Sequence, residues 1–254
     1  MLWKARQTEQ AGPDERTDRK KNMQQAGREY PREESIMYIG INGIQLYYEK
    51  TGHGRPLILV HGNSEDHTIF DEAVGVLKEY YTCYTPDSRG HGQSTPCREL
   101  HYRDMAQDMV AFMTELDLHD VAFYGFSDGG IVGLLAAMGC GRITNLIVSG
   151  ANITTKGCKA WFRLFIKAVG TVRKDPLFEL MEKEPNIPPE QLASIKVPTL
   201  VIAGSRDLIR EDETKLIAKS IPNAKLMILE GEGHGTYIVH KTKIAEILVK
   251  ELAR

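Results

Sequence analysis

A lone serine stands between glycines in GFSDG, Gly125 to Gly129, with an apolar run on either side of it. A hydroxyl is a weak nucleophile until a neighbouring imidazole takes its proton, and the imidazole needs a carboxylate to fix its tautomer. Both partners occur later in the chain, in the order serine, acid, histidine that a nucleophile on a strand-to-helix turn requires. Asp207 lies in VIAGSRDLI and His234 in EGEGHGT. His240 falls within the pattern of the last helix and reads as a surface or packing residue, whereas Glu211 and Asp212 read as first-turn acids of the helix after Asp207. The trio Ser127, Asp207 and His234 fits acyl transfer to water through a covalent acyl intermediate.

Such chemistry also needs donors for the negative charge that develops on the carbonyl oxygen. The stretch LVHGNSED places Asn63 just after an apolar strand, and Asp128 follows the serine directly. Their backbone N–H groups are the expected oxyanion hole, with the start of the following helix favouring the same charge. His61 precedes the acid candidate in the chain and is expected to brace the oxyanion loop. His91, in DSRGHGQS, is expected to shape its own loop.

These residues are useful only if the chain brings them to one place. MYIGINGIQLYYEKTG reads as a hairpin about Asn42 and Gly43, since an Asn-Gly pair supplies the positive φ of a tight turn. PLILVHG is a short apolar run of the kind buried on both faces of a parallel sheet, and residues 80–86, 121–124, 143–148, 198–203 and 225–229 repeat it as central strands. Helix-period stretches at 102–116, 129–138, 212–220 and 239–252 alternate with them, so the connections must be right-handed crossovers. The expected architecture is an open, mostly parallel α/β sheet with helices on both faces. In such a sheet ligands sit beyond the carboxyl ends of the strands, where all of the candidate residues fall.

Composition narrows the class. With 254 residues, a formal net charge of −2 and 26% charged residues, the chain suits one large core and offers no bulk attraction to nucleic acid or to an anionic membrane. No apolar run is long enough to span a bilayer, and no secretory leader is recognisable, so a cytoplasmic location is expected. Cys83, Cys97, Cys140 and Cys158 are scattered without paired spacing and read as reduced thiols; neither a metal nor another cofactor is expected. Residues 1–36 mix both charge signs with Gln, Gly and Pro and are expected to be a disordered extension ahead of a catalytic domain at 37–254.

Taken together, HGN, DSRGHGQS, GFSDGG, AGSRD and GEGH, in this order from about Met37 to the C-terminus, resemble the α/β-hydrolase superfamily. The resemblance implies that fold and a catalytic serine; a serine at 127, where dehalogenases and epoxide hydrolases of the superfamily carry an aspartate, leaves acyl transfer. It also implies a cap between the strands ending near Val148 and beginning at Pro198. Here Asn152 to Lys196 is short, so a reduced helical cap is expected, with Trp161, Phe162, Phe165 and Val169 either lining an acyl pocket or packing on the domain. GFSDGG is similar to hydrolases of amino-acid esters, where Asp128 would meet a substrate ammonium; as the first residue of a helix it needs no ligand. The expected activity is hydrolysis of a small carboxylic ester or thioester, as a carboxylesterase-like serine hydrolase. The alternatives are a ligand-sensing signalling protein of the same fold with slow turnover, or an amidase or acyltransferase.

Overall fold

A computed structural model of the chain describes residues 37–253. The reading of residues 1–36 as a disordered extension lies outside the described residues. Eight strands, β1 (Met37–Ile41), β2 (Ile44–Gly52), β3 (Arg55–Val60), β4 (Tyr81–Pro86), β5 (Val121–Phe126), β6 (Ile143–Ser149), β7 (Thr199–Gly204) and β8 (Ala224–Leu229), form one sheet in the order β1-β2-β4-β3-β5-β6-β7-β8. The β1–β2 hairpin turns at Asn42 and Gly43, both at positive φ, and β2 runs antiparallel to β4; every later pairing is parallel.

The described residues form seven α-helices: α1 (Asp71–Leu77), α2 (Tyr102–Glu115), α3 (Asp128–Ala137), α4 (Ala160–Arg173), α5 (Pro176–Lys183), α6 (Glu211–Ser220) and α7 (Lys243–Leu252). Alternate residues of the central strands feed two separate cores, because successive side chains of a strand point to opposite faces. Ile58, Val60, Val121 and Phe123 pack with Met109 and Phe112 of α2, Val132 of α3 and Ile217 of α6. Leu57, Leu59, Ala122 and Tyr124 pack with Ala73 of α1 and Ile244 and Leu248 of α7. Truncating a fully buried residue such as Leu59 to alanine should cost about 2–5 kcal/mol.

Two expectations need correction. Residues 225–229 do not form a central strand: β8 pairs only with β7 at the sheet edge, leaving Leu226 exposed and Lys225 in an ion pair with Glu251. The last helix starts at Lys243, not 239. The preceding segment is held in a turn by the His240 N–H, which donates to the Ile69 carbonyl, and His240 itself has a φ of 50° that no helix accommodates. Its ring is half-exposed beside Glu72. No helix among the described residues is long and apolar enough to cross a membrane.

Candidate active site

Ser127 sits at the junction of β5 and α3 with φ 53° and ψ −115°, a conformation that costs a non-glycine residue about 1–3 kcal/mol. The turn is closed so tightly that a Cβ on Gly125 would lie 2.1 Å from the Gly129 carbonyl oxygen, and one on Gly129 equally close to that of Val60. Only glycine fits at either position, and the turn it permits lifts the serine hydroxyl out at the carboxyl edge of the sheet. There Ser127 Oγ lies 3.0 Å from His234 Nε2, and His234 Nδ1 lies 2.6 Å from Asp207 Oδ1.

Three loops from three strand ends supply this line of contacts. Asp207, after β7, is 3% exposed and accepts the Ile209 N–H at 2.9 Å. Burial alone would raise its pKa, but the hydrogen bond and charge of His234, with the Ile209 and Gly204 N–H groups, outweigh it and hold the carboxyl below its ordinary value. His234, after β8, has its ring 5.0 Å from that of Phe126 and a neighbour that must be small: Gly150 has φ +60°, and a Cβ there would come within 2.8 Å of the imidazole.

The loop after β3 approaches from the other side. The side-chain amide of Asn63 donates to Asp128 Oδ2 at 2.9 Å and to the Leu177 carbonyl at 3.1 Å. Asp128 is the first residue of α3, so its N–H has no partner within the helix and is available to a ligand. Its carboxyl is buried, which raises its pKa, with the Asn63 amide and the Tyr102 hydroxyl acting in opposition. His61 is 1% exposed; its Nε2 accepts the Ser88 N–H at 3.0 Å, which leaves Nδ1–H to donate to the Gly62 carbonyl at 2.7 Å. Burial, aided by the nearby His91, lowers its pKa to about 4, so it remains neutral and ties two loops together. His91 donates through Nδ1 to the Arg89 carbonyl within its own loop, its ring 5.0 Å from that of His61.

Sequence reasoning passed over Glu65 and Asp87. Glu65 Oε2 accepts the Gly62 N–H at 2.9 Å on the rim of the site, and burial pushes its pKa up to about 7. No spacing distinguished it from Asp66, which caps the short helical turn at 67–70. Fully buried Asp87 accepts the His67 N–H and ring Nδ1 on one oxygen and the Gln93 N–H on the other, stitching the DSRGHGQS loop to the loop after β3.

A cavity of about 240 Å³ opens over the serine. Phe162, Phe165 and Ile166 of α4 and Phe178 and Met181 of α5 form its apolar wall. Of the four residues considered for an acyl pocket, Phe162 and Phe165 line it, whereas Trp161 is turned outward, 59% exposed, and Val169 lies off the cavity. Glu65, Asp128 and Glu184 also reach the wall, and no lysine or arginine does. Cys158 completes it as a thiol whose pKa burial, with Asp128 and Glu213 nearby, pushes up to about 12. Among the described residues no group of three His, Cys, Asp or Glu side chains is arranged to hold a metal ion.

Residues 55–156, which carry β3 to β6 and the serine turn, match the sequence profile of a family described as the α/β hydrolase fold. The chain is 27% identical to the AB hydrolase superfamily protein YisY of Bacillus subtilis, across 82% of this chain and 95% of that one. The chain has the α/β-hydrolase fold. A thermophilic esterase from Thermogutta terrifontis has the same α/β-hydrolase fold, with a TM-score of 0.71 at 20% identity over 86% of this chain and 97% of the esterase. Human serine hydrolase BPHL is 32% identical over 45% of this chain and 42% of its own. The eight-stranded α/β-hydrolase sheet therefore stands as expected, as do its helices on both faces.

Proposed function

We propose that this chain is a serine hydrolase of small carboxylic esters or thioesters. Ser127 Oγ attacks the carbonyl carbon while His234 Nε2 takes its proton, and the Asn63 and Asp128 N–H groups hold the oxyanion. Asp207 keeps the imidazole in the tautomer with a proton on Nδ1 and stabilises the imidazolium that forms. Collapse of the tetrahedral intermediate expels the alcohol or thiol, which leaves with the proton from His234. Water, deprotonated by the same imidazole, then cleaves the acyl-serine and restores the hydroxyl. The continuous contact from Ser127 through His234 to Asp207 carries this reading, because each atom is already within hydrogen-bond reach of the one it must serve.

The α4–α5 pair is the short cap in this reading, and its phenylalanines receive the acyl chain. A small cavity favours short acyl groups, by about 1–3 kcal/mol per misfitted methylene. The test is a series of p-nitrophenyl esters of increasing acyl length, with fluorophosphonate labelling alongside. Turnover should peak at short chains, and Ser127→Ala should abolish labelling and lower turnover by roughly 10⁴ to 10⁶ while leaving the thermal midpoint in place. Near-normal turnover in that variant would end the proposal.

A further inference from the structure

Between Asp128 and Asp175 the chain holds no acidic residue and seven basic ones. Six of these, Lys156, Lys159, Arg163, Lys167, Arg173 and Lys174, lie in α4 or within four residues of its ends, in a protein whose net charge is −2. None of the six forms an ion pair among the described residues. The only acid of α5 that is paired, Glu179, is taken by Lys183 of the same helix.

The same helix is unusual in its apolar residues. Eight large apolar side chains among the described residues are more than a third exposed, and four of them, Trp161, Leu164, Phe165 and Val172, stand on α4 at 59%, 69%, 51% and 83%. Their spacing, with Ala168 between them, places them along one stripe of the helix, while Ile166 turns inward on another. By the same spacing Lys167 and Arg173 border the stripe, and Lys156, Lys159 and Lys174 lie beyond its ends. A merely solvated helix face would account for the cations but leave an indole, a phenyl ring and two branched aliphatic side chains in water for no return.

We propose that α4 is a docking face for an anionic lipid surface, lying in the plane of the interface with its apolar stripe among the upper acyl chains and its lysines and arginines on the headgroups. Long basic side chains can reach back to headgroup level from a half-immersed helix, which is the arrangement the border positions provide. The positive charge along the stripe selects the partner, because a neutral surface would leave the five cations at its border and ends without counter-charge. A second copy of the chain is the poorer occupant, since pairing the stripes would set these cations against their own kind. Phe165 belongs both to the exposed stripe and to the wall of the cavity, so the docked helix would hold the cavity mouth against the lipid.

The chain has two tryptophans, Trp3 and Trp161, so Trp3→Phe leaves the indole at the proposed contact as the sole tryptophan, excited selectively beyond the tyrosine absorption. This full-length variant is mixed with vesicles of phosphatidylcholine alone and of phosphatidylcholine with phosphatidylglycerol, and co-sedimentation is measured in parallel. The expected result is a blue shift and partition on the anionic vesicles only, reversed by salt, with each cation removed in Lys167→Gln and Arg173→Gln weakening partition about fivefold. Leu164→Ser with Val172→Ser should abolish it, and Ser127→Ala should leave it untouched. The proposal is overturned by equal partition onto neutral vesicles, by no shift on either kind, or by partition that the α4 substitutions do not weaken. It is also overturned if, without vesicles, sedimentation shows a dimer that the serine substitutions dissociate.

Discussion

Asn63 is bonded to Asp128, amide to carboxylate at 2.9 Å, so the two residues from which oxyanion donors are expected are also joined through their side chains. The bond pins the loop after β3 to the serine turn, and the Asn63 contact with the Leu177 carbonyl extends the tie to α5. Asn63→Ala keeps the backbone N–H but releases the loop that aims it. It should lower kcat on a p-nitrophenyl ester on the order of 10²-fold, with little change in KM, as misplacement of a positioned donor does. A rise in KM alone would make Asn63 a substrate contact instead.

The proposed roles of the two late histidines are separable. Asp207→Asn preserves shape but leaves His234 in the wrong tautomer, and should cost on the order of 10⁴ in turnover. His240→Ala should be nearly silent, since that ring is half-exposed against Glu72. Steady-state rates of the two variants decide it: loss of activity in His240→Ala with retention in Asp207→Asn reverses the assignment.

Glu65 gives the stability a pH dependence of definite sign. Burial holds its carboxyl near pH 7 in the folded protein against an ordinary value of 4.5, so the folded state retains a proton that the unfolded state releases. Stability contributed by the protonated form is complete below the ordinary value and is lost as pH rises to about 7. Glu65→Gln should therefore gain in thermal midpoint relative to the unaltered protein as pH rises through that window, and stay level above it. Because an amide oxygen can still accept the Gly62 N–H, kcat should survive in Glu65→Gln and fall in Glu65→Ala. A midpoint difference that does not vary with pH counts against the buried carboxylate.

The acids in the cavity wall bear on the substrate. With Asp128 and Glu184 present, joined by Glu65 once pH passes about 7, and no lysine or arginine, an acyl group carrying an ammonium should meet an attractive field and one carrying a carboxylate a repulsive one. Esters of free amino acids should thus outrun their N-acetylated forms, and Asp128→Asn should shrink the ratio while keeping the backbone N–H. Equal rates for free and acetylated esters would leave Asp128 as a helix-start residue held by Asn63 and Tyr102.

The parallel strands were legible because burial on both faces writes an unbroken apolar run, and the serine turn because only glycine tolerates contacts such as that of Gly129 with the Val60 carbonyl. The edge position of β8 was not legible. Lys225, Leu226 and Met227 read like any half-apolar strand, and the pairing that leaves β8 with β7 as its one neighbour in the sheet is not written in their composition. The start of α7 was missed because Tyr237 and Ile238, both buried, continue the helical period through a turn that is not helical. In α4, periodicity marked Trp161 and Phe165 alike as apolar; the packing of the helix put only the second on the cavity. Glu65 carried no signal at all, since its meaning comes from an N–H three residues back in a loop that only the fold closes. Charge summed over the whole chain likewise concealed the acid-free stretch around α4.

Cys158 has a practical bearing on how the cavity can be probed. A thiol whose pKa stands near 12 is almost wholly unionised at neutral pH, and maleimides or iodoacetamides, which react with thiolates, should leave it intact. An electrophile designed for hydroxyls thus faces no competing sulfur in the same chamber. Titration of the purified chain with such an electrophile should therefore leave Cys158 unlabelled, and a compound that modifies Cys158 rapidly would signal that the cavity wall has opened.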